Sequence, residues 1–247
     1  MVLPQEIGDA AQDGDRDRVM AWLDAGGSVD DVDLGGYTLL NCCATGDLVH
    51  ETIGDGHVAL ARDLIALGAD VNIASTIDGP PGDTPLIRAV SNMTRGQGPM
   101  DMVSLLLTAK ADVNAPNFSY KSPLCLAILH PSEIRTTMIT ELLRSGASLD
   151  ACRGPETAER VIQIHESGRP HLAENEHWRA IKRLVAGVRQ HGSYKRYARS
   201  FHRDVLAVRG LAQRGKLSTN DPVLNFLARL GDNGVCWHIL SFWRATN

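Results

Sequence analysis

Histidines are the residues of this chain whose spacing comes nearest to a metal site. His165, His171 and His177 recur every six residues, with glutamates nearby. A six-residue spacing does not place successive side chains on one face of a helix, and Gly168 and Pro170 would interrupt such a helix. We therefore predict that no metal is bound there.

The five cysteines include no C-x-x-C pair, so they predict neither a disulfide framework nor a zinc knuckle and favour a reducing compartment. We interpret Cys42 and Cys43 as packing residues, because they follow one another in a predicted helix rich in small residues. The sequence has no Gly-x-Ser-x-Gly element and no convincing pairing of a nucleophile with a base. We expect no enzymatic activity and no cofactor.

A third chemical pattern is the spacing of a phosphate-binding loop in Gly210–Lys216. The next residue is Leu217, so the hydroxyl that would hold Mg²⁺ is missing at that position. Only 31 residues follow Lys216, too few for the parallel sheet of such an enzyme. We interpret the match as chance.

The composition is that of an ordinary soluble protein. The chain has 247 residues, a formal net charge of −4 and a mean hydropathy of −0.14. Aromatic residues make up 5%, and the dominance of aliphatic residues favours packed helices. The longest apolar runs, such as Met102–Leu107, are too short to span a membrane, and the first residues lack a secretory signal. These features predict a cytoplasmic or nuclear protein.

Two short elements recur in fixed order through the first 150 residues. One is a turn-like segment that follows an apolar helical stretch, and it occurs at Gly26–Asp30, Gly68–Asn72, Lys110–Asn114 and Gly146–Asp150. The other opens with a hydroxyl residue, and it occurs at Thr38–Leu40, Thr84–Leu86 and Ser122–Leu124. Their alternation predicts a series of helix pairs.

The residue types explain how these elements could work. A Thr or Ser hydroxyl can cap the first helix of a pair, and a following Pro suits the first helical position. The second helix ends at a Gly that can adopt a left-handed conformation, which Lys110 can do only at a higher cost. We therefore expect Lys110 to occupy an unfavourable backbone position.

This order of elements resembles the ankyrin repeat, a unit of about 33 residues built from a β-hairpin turn and two antiparallel helices. The resemblance implies an all-α solenoid with about four repeats over residues 1–152, approximately at 1–33, 34–75, 76–117 and 118–152. The first copy is polar, as an N-terminal capping repeat should be. A C-terminal helical cap at 153–247, outside the ankyrin pattern, would follow.

The repeats are longer than the family unit. Gly26 to Gly68 and Gly68 to Lys110 each span 42 residues, and Lys110 to Gly146 spans 36. The excess is expected in loops, and loop insertions in solenoids cost little stability. We place it around 46–56, 75–83, 95–99 and 131–133.

The charge changes sign along the chain. Residues 1–150 carry 9 Lys and Arg against 21 Asp and Glu, whereas residues 169–216 carry 12 against 3. A basic helical extension at 153–247 could cap the last repeat, with Trp178, Trp237 and Trp243 on its apolar face. Alternatively it could contact an acidic partner, a nucleic acid or an anionic membrane. The candidate basic patch comprises Arg179, Lys182, Arg183, Lys195, Arg196, Arg199 and Arg203.

A second resemblance lies near the end of the chain. Residues 230–242 are similar to the opening helix of an F-box, which would imply an adaptor role in a ubiquitin ligase. Gly231 replaces the usual Pro, and only five residues follow Phe242, where an F-box needs two more helices. An amphipathic closing helix explains the same pattern.

The ankyrin resemblance implies a non-enzymatic protein-binding module or assembly subunit that uses a concave face of hairpin tips and first helices. The abundant acids of the repeats predict a partner with a basic or mixed surface. Phe118 and Tyr120 are the best candidate anchors, although both could instead pack within the hairpin. The candidate contact residues are Asp31, Asp33, Leu34, Tyr37, Thr76, Ile77, Asp78, Asp83, Asn117, Phe118, Tyr120 and Lys121.

Overall fold

A computed structural model describes residues 2–47, 52–76, 82–92, 98–150 and 152–200. These residues form helices joined by turns and isolated β-bridges, so the predicted all-α class is confirmed. The chain divides into two compact units, Met1–Val185 and Ala186–Asn247. The helices are α1 Gln5–Gln12, α2 Arg16–Asp24, α3 Leu39–Thr45, α4 Asp55–Ala66, α5 Pro85–Ser91, α6 Gly98–Thr108, α7 Pro123–Ile128, α8 Glu133–Arg144, α9 Ala158–Gly168 and α10 Glu176–His191.

Successive helix pairs stack in two rows within the first unit. The inner row is formed by the first helices of the pairs, in which α1 packs on α3, α3 on α5, α5 on α7 and α7 on α9. The outer row repeats this order with α2, α4, α6 and α8. Aliphatic side chains such as Leu40, Leu64 and Leu124 are fully buried between the rows. Each pair therefore buries its apolar face against its neighbours, as expected of a solenoid.

Hydroxyl side chains begin the inner helices α3, α5 and α7, as predicted. The Asn41 N–H donates to Thr38 Oγ1 at 3.2 Å, and Thr84 and Ser122 accept equivalent bonds at 3.3 Å. Each cap satisfies a backbone donor of the first helical turn that has no partner within the helix. Thr157 caps α9 in the same way, so this pattern continues beyond residue 152.

The turns after α2, α4, α6 and α8 need a left-handed backbone conformation. Gly26, Gly68 and Gly146 have φ values of 101°, 96° and 98°. Lys110 occupies the corresponding turn with a φ of 69°, which confirms the expected unfavourable position. At Lys110 a residue with a β-carbon adopts the left-handed conformation that glycine adopts in the other three turns.

Exposed side chains link each of these turns to the next, along what we term the turn edge. Asp30 Oδ1 accepts a hydrogen bond from the Asp70 N–H at 3.0 Å. Asn72 Oδ1 accepts from the Asp112 N–H at 2.7 Å, and Asn114 Oδ1 accepts from Ser148 at 2.8 Å. The Asp or Asn that ends one turn thus binds the backbone of the following turn.

A second set of links, the helix-end edge, satisfies carbonyls where inner helices end. His57 Nε2 lies 2.6 Å from the Gln12 carbonyl oxygen, and Asn92 Nδ2 donates to the Thr45 carbonyl at 2.8 Å. Arg135 donates to the carbonyls of Val90 and Asn92, the second at 2.7 Å. These donors come from the next helix pair, so they also join the pairs.

Apolar side chains of α10 are buried along one face of that helix. Trp178 is fully buried with its ring centroid 5.5 Å from that of His165, and Ile181, Val185 and Val188 are also buried. Trp237 and Trp243 lie outside the described residues. Within the second unit, residues 194–200 are helical. No described helix is both long enough and apolar enough to cross a membrane.

Candidate functional site

The first hairpin tip is braced by one aspartate. Asp33 Oδ1 accepts hydrogen bonds from the N–H groups of Gly35 and Tyr37, at 2.8 and 2.9 Å. Asp31 similarly accepts from the Ser28 N–H at 3.1 Å. Asp33 therefore holds the hairpin tip and Asp31 holds the turn before it, whereas Leu34 at the apex of the tip is 98% exposed.

Tyr37 lies against the next inner helix instead of projecting into solvent. The Arg88 guanidinium lies 4.5 Å from the centroid of the Tyr37 ring, the geometry of a cation–π contact. Arg88 Nε is also 3.6 Å from Asp83 Oδ2. Tyr37 and Asp83 are thus joined through one arginine of α5, and this contact fixes the first tip against the third helix pair.

The second tip is described only in part. Thr76 is exposed and approaches Gly36 so closely that a β-carbon at Gly36 would collide with the Thr76 backbone. The base of the second tip is closed by a hydrogen bond of 3.1 Å from the Ser75 N–H to the Asp83 carbonyl. The predicted contact residues Ile77 and Asp78 lie outside the described residues.

The third tip repeats the brace of the first with an amide. Asn117 Oδ1 accepts from the Ser119 and Lys121 N–H groups at 3.0 and 3.1 Å. Phe118 and Tyr120 are 60% and 67% exposed, so neither ring packs inside the hairpin. Tyr120 is held with a φ of 58°. This tip therefore presents two aromatic rings on a fixed backbone.

The third tip adjoins a basic pocket between α7 and α9. The Gly154 N–H donates to the Tyr120 carbonyl at 2.7 Å, and Lys121 forms a β-bridge with Arg153. Behind this bridge lies a cavity of about 290 Å³. It is lined by Lys121, Cys125, Leu129, His130, Arg153, Val161, Ile164, His165 and Arg169.

The cations of the basic pocket affect its two histidines. Burial lowers the pKa of His130, as do the nearby charges of Arg135, His165, Arg169 and Lys121. The pKa of His165 is lowered by burial and by Arg169, whose Nη1 lies 3.2 Å from His165 Nε2. The pocket therefore disfavours additional positive charge. Of its lysine and arginine side chains, the sequence pointed only to Lys121, since the others lie on separate elements.

The predicted basic patch is divided between the two compact units. In the first unit, Lys182 Nζ binds both carboxylate oxygens of Glu166, at 2.8 and 2.9 Å. Arg179 donates to the Glu174 carbonyl at 2.5 Å, and Arg183 is exposed. Within the second unit, exposed positions include Lys195, Arg196 and Arg199, whereas Arg203 lies outside the described residues.

The metal-site and cysteine candidates of the sequence form no cluster of catalytic or metal-binding side chains in the part of the chain that the structure describes. There, no group of three or more His, Cys, Asp or Glu side chains could hold a metal ion. Burial raises the pKa of the Cys42 thiol to about 12 and that of Cys43 well above its usual range, as suits packing residues. The segments 210–216 and 230–242 lie outside the described residues.

Comparison with known proteins places one of these helix pairs in a family. Residues 81–118, which include α5, α6 and the turn at Lys110, match the family model of the ankyrin repeat. No curated protein sequence matches the chain. The match and the all-helical described fold show that residues 81–118 form an ankyrin repeat, and the ankyrin repeat is a non-enzymatic protein–protein interaction module.

Proposed function

We propose that this chain binds a partner protein through a concave face built from its hairpin tips and inner helices. The repeats predicted at 1–33, 34–75, 76–117 and 118–152 would supply this face. The observation that carries the proposal is the third tip, where Phe118 and Tyr120 are exposed on a braced backbone. Exposed aromatic side chains on rigid elements are typical binding anchors.

The braced tips favour binding because little backbone order has to be gained. Asp33 and Asn117 each hold two N–H groups of their hairpins, so Leu34, Phe118 and Tyr120 are already positioned. Binding a partner at these tips therefore costs less conformational entropy than binding it at a disordered loop, which would have to become ordered. The many acids of the repeats favour a partner whose surface is basic or mixed in charge.

The compartment we propose for this interaction is the cytoplasm or the nucleus. Cys42, Cys43, Cys125 and Cys152 are buried free thiols in the described part of the chain. Unpaired cysteines suit a reducing environment, and this is the support for the proposed compartment.

Affinity capture with mass spectrometry tests the proposal. The full chain is compared with a Phe118→Ala/Tyr120→Ala variant, which removes both rings. Leu67→Ala is the matched control, since Leu67 is 54% exposed at the end of α4 and lies on no tip. The helical circular dichroism spectrum and the unfolding midpoint of each variant confirm that it is folded.

We expect a specific protein partner to be captured by the full chain and by Leu67→Ala, and lost from the double variant. Alanine at 120 keeps the same unfavourable φ as tyrosine, so the variant should fold like the original. A partner list unchanged by the double substitution would contradict the proposed face.

A further inference from the structure

The basic pocket contains positive charge that its own walls do not neutralise. No Asp or Glu is among its lining residues. Arg153 lies 3.9 Å from the nearest Glu156 carboxylate oxygen, so that one cation is weakly paired. Lys121 and Arg169 have no carboxylate partner among the described residues. This is unusual next to repeats in which acids outnumber bases.

The remaining walls of the basic pocket are apolar. Leu129, Val161 and Ile164 contribute aliphatic surface beside the cations. A volume of about 290 Å³ lies at the lower bound of the ~300–1,000 Å³ usual for small-molecule sites, so it suits a single side chain better than a cofactor. A ligand with methylene groups and a terminal anion would match the pocket, because the methylene groups suit the aliphatic walls and the anion suits the cations.

The position of the pocket connects it to the third tip. Lys121 directly follows Tyr120, and the Gly154 N–H binds the Tyr120 carbonyl beside Arg153. A chain segment resting on the Phe118 and Tyr120 rings would therefore reach the pocket within a few residues. An anion in the pocket would also offset the mutual repulsion of Lys121 and Arg169.

We propose that the basic pocket receives the carboxylate of an Asp or Glu side chain from a partner peptide whose neighbouring apolar residues contact Phe118 and Tyr120. This proposal rests on the proposed function and names the chemistry of the partner. Lys121 and Arg169 supply the charge, Arg153 contributes from the hairpin, and the aliphatic walls hold the methylene groups. The partner surface is then mixed, with an acidic residue beside apolar ones.

Peptide selection on the full chain tests this chemistry without a known partner. The probe is a displayed library of random dodecapeptides, depleted first on a Lys121→Gln/Arg169→Gln variant and then selected on the original protein. Lys110→Gln/Arg160→Gln, which removes the same charge from turn and helix-surface positions, is the matched control. Because the library carries no phosphate groups, any acidic group shared by the enriched peptides is a carboxylate.

We expect the enriched peptides to share one Asp or Glu next to an aromatic or aliphatic residue. A synthetic peptide of this consensus should bind at least tenfold more weakly to Lys121→Gln/Arg169→Gln, and within twofold of its original affinity to the control. Replacing its acid by Gln or Asn should give a similar loss. Peptides without a shared acid, an unchanged affinity for the variant, or no enrichment at all would each overturn the proposal.

The two proposals fail in different ways. A selected peptide or captured partner that depends on Phe118 and Tyr120 but not on Lys121 and Arg169 would leave the proposed face in place and remove the pocket. Dependence on neither pair would remove both.

Discussion

The turn edge and the helix-end edge join the same helix pairs with different chemistry. Along the turn edge, one type of link repeats, in which an exposed Asp or Asn side chain binds the next turn. Along the helix-end edge, each link uses a different residue, first His57, then Asn92, then Arg135. His57 and Arg135 are each only 6% exposed.

This difference predicts where the stability of the stack resides. An exposed link replaces a hydrogen bond to water that is still available when the link is lost, so its net contribution is small. When a buried carbonyl loses its donor, water cannot readily replace that donor. The cost of removing the carbonyl from water is then no longer offset by a hydrogen bond. Substitutions along the helix-end edge should therefore cost more than those along the turn edge.

Arg135→Met should have the largest effect on the free energy of unfolding. Methionine retains much of the side-chain volume but removes the donors to the Val90 and Asn92 carbonyls. The expected loss is about 3 kcal/mol, measured by urea unfolding followed by circular dichroism. A loss below about 1 kcal/mol would contradict the assigned role.

Arg144→Met on the same helix is the control for that substitution. Arg144 is partly exposed and pairs with Glu141 three residues earlier, at 2.9 Å. Such a pair contributes about 0.5 kcal/mol or less. Equal losses at positions 135 and 144 would remove the distinction between buried and exposed links.

His57→Ala should have the next largest effect. The Gly54 N–H donates to Nδ1 at 3.1 Å, so Nε2 carries the proton that the Gln12 carbonyl accepts. Alanine loses both bonds and leaves a void between α1 and α4, with an expected cost of about 2 kcal/mol. Urea unfolding measures it, with His171→Ala at an exposed position as the control, for which we expect no change beyond about 0.5 kcal/mol.

The contrast between the edges also explains what could be predicted from the sequence. The caps at Thr38, Thr84 and Ser122 were predictable because they recur before similar helices, and so was the strained turn at Lys110. The helix-end edge was not predictable. Its donors differ in type, and they stand beside loops of different length, so no repeated pattern marks them.

The candidate site also contains features that the sequence could indicate and features that depend on the tertiary structure. The sequence marked Phe118 and Tyr120 as candidate anchors but left open whether they pack within the hairpin, and both are exposed. Asp33 and Asn117 were expected to contact a partner, yet their oxygens face the backbone of their own turns, because short polar side chains readily bind the N–H groups two to four residues ahead. The basic pocket is assembled from separate elements, so only tertiary structure brings its cations together.

Asn72→Ala tests the weaker edge. It removes the bond to the Asp112 N–H, and since this N–H then binds water, the expected loss is about 0.5–1 kcal/mol in the same urea assay. Asn114→Ala should cost slightly more, because Asn114 also donates to the Gly146 carbonyl. If the double variant lost more stability than Arg135→Met, the proposed ranking of the two edges would be reversed.

The smallest expected effect is a gain at the one turn of this edge that lacks glycine. Lys110→Gly relieves a β-carbon held at a φ of 69°, and it should raise the free energy of unfolding by about 0.5–1 kcal/mol in urea. Gly68→Lys is the reciprocal control, since a β-carbon there would meet open space and only the backbone conformation opposes it. We expect a loss of similar size at position 68. Gains or losses of the same sign at both positions would show that the backbone conformation of the turn does not set its contribution to stability.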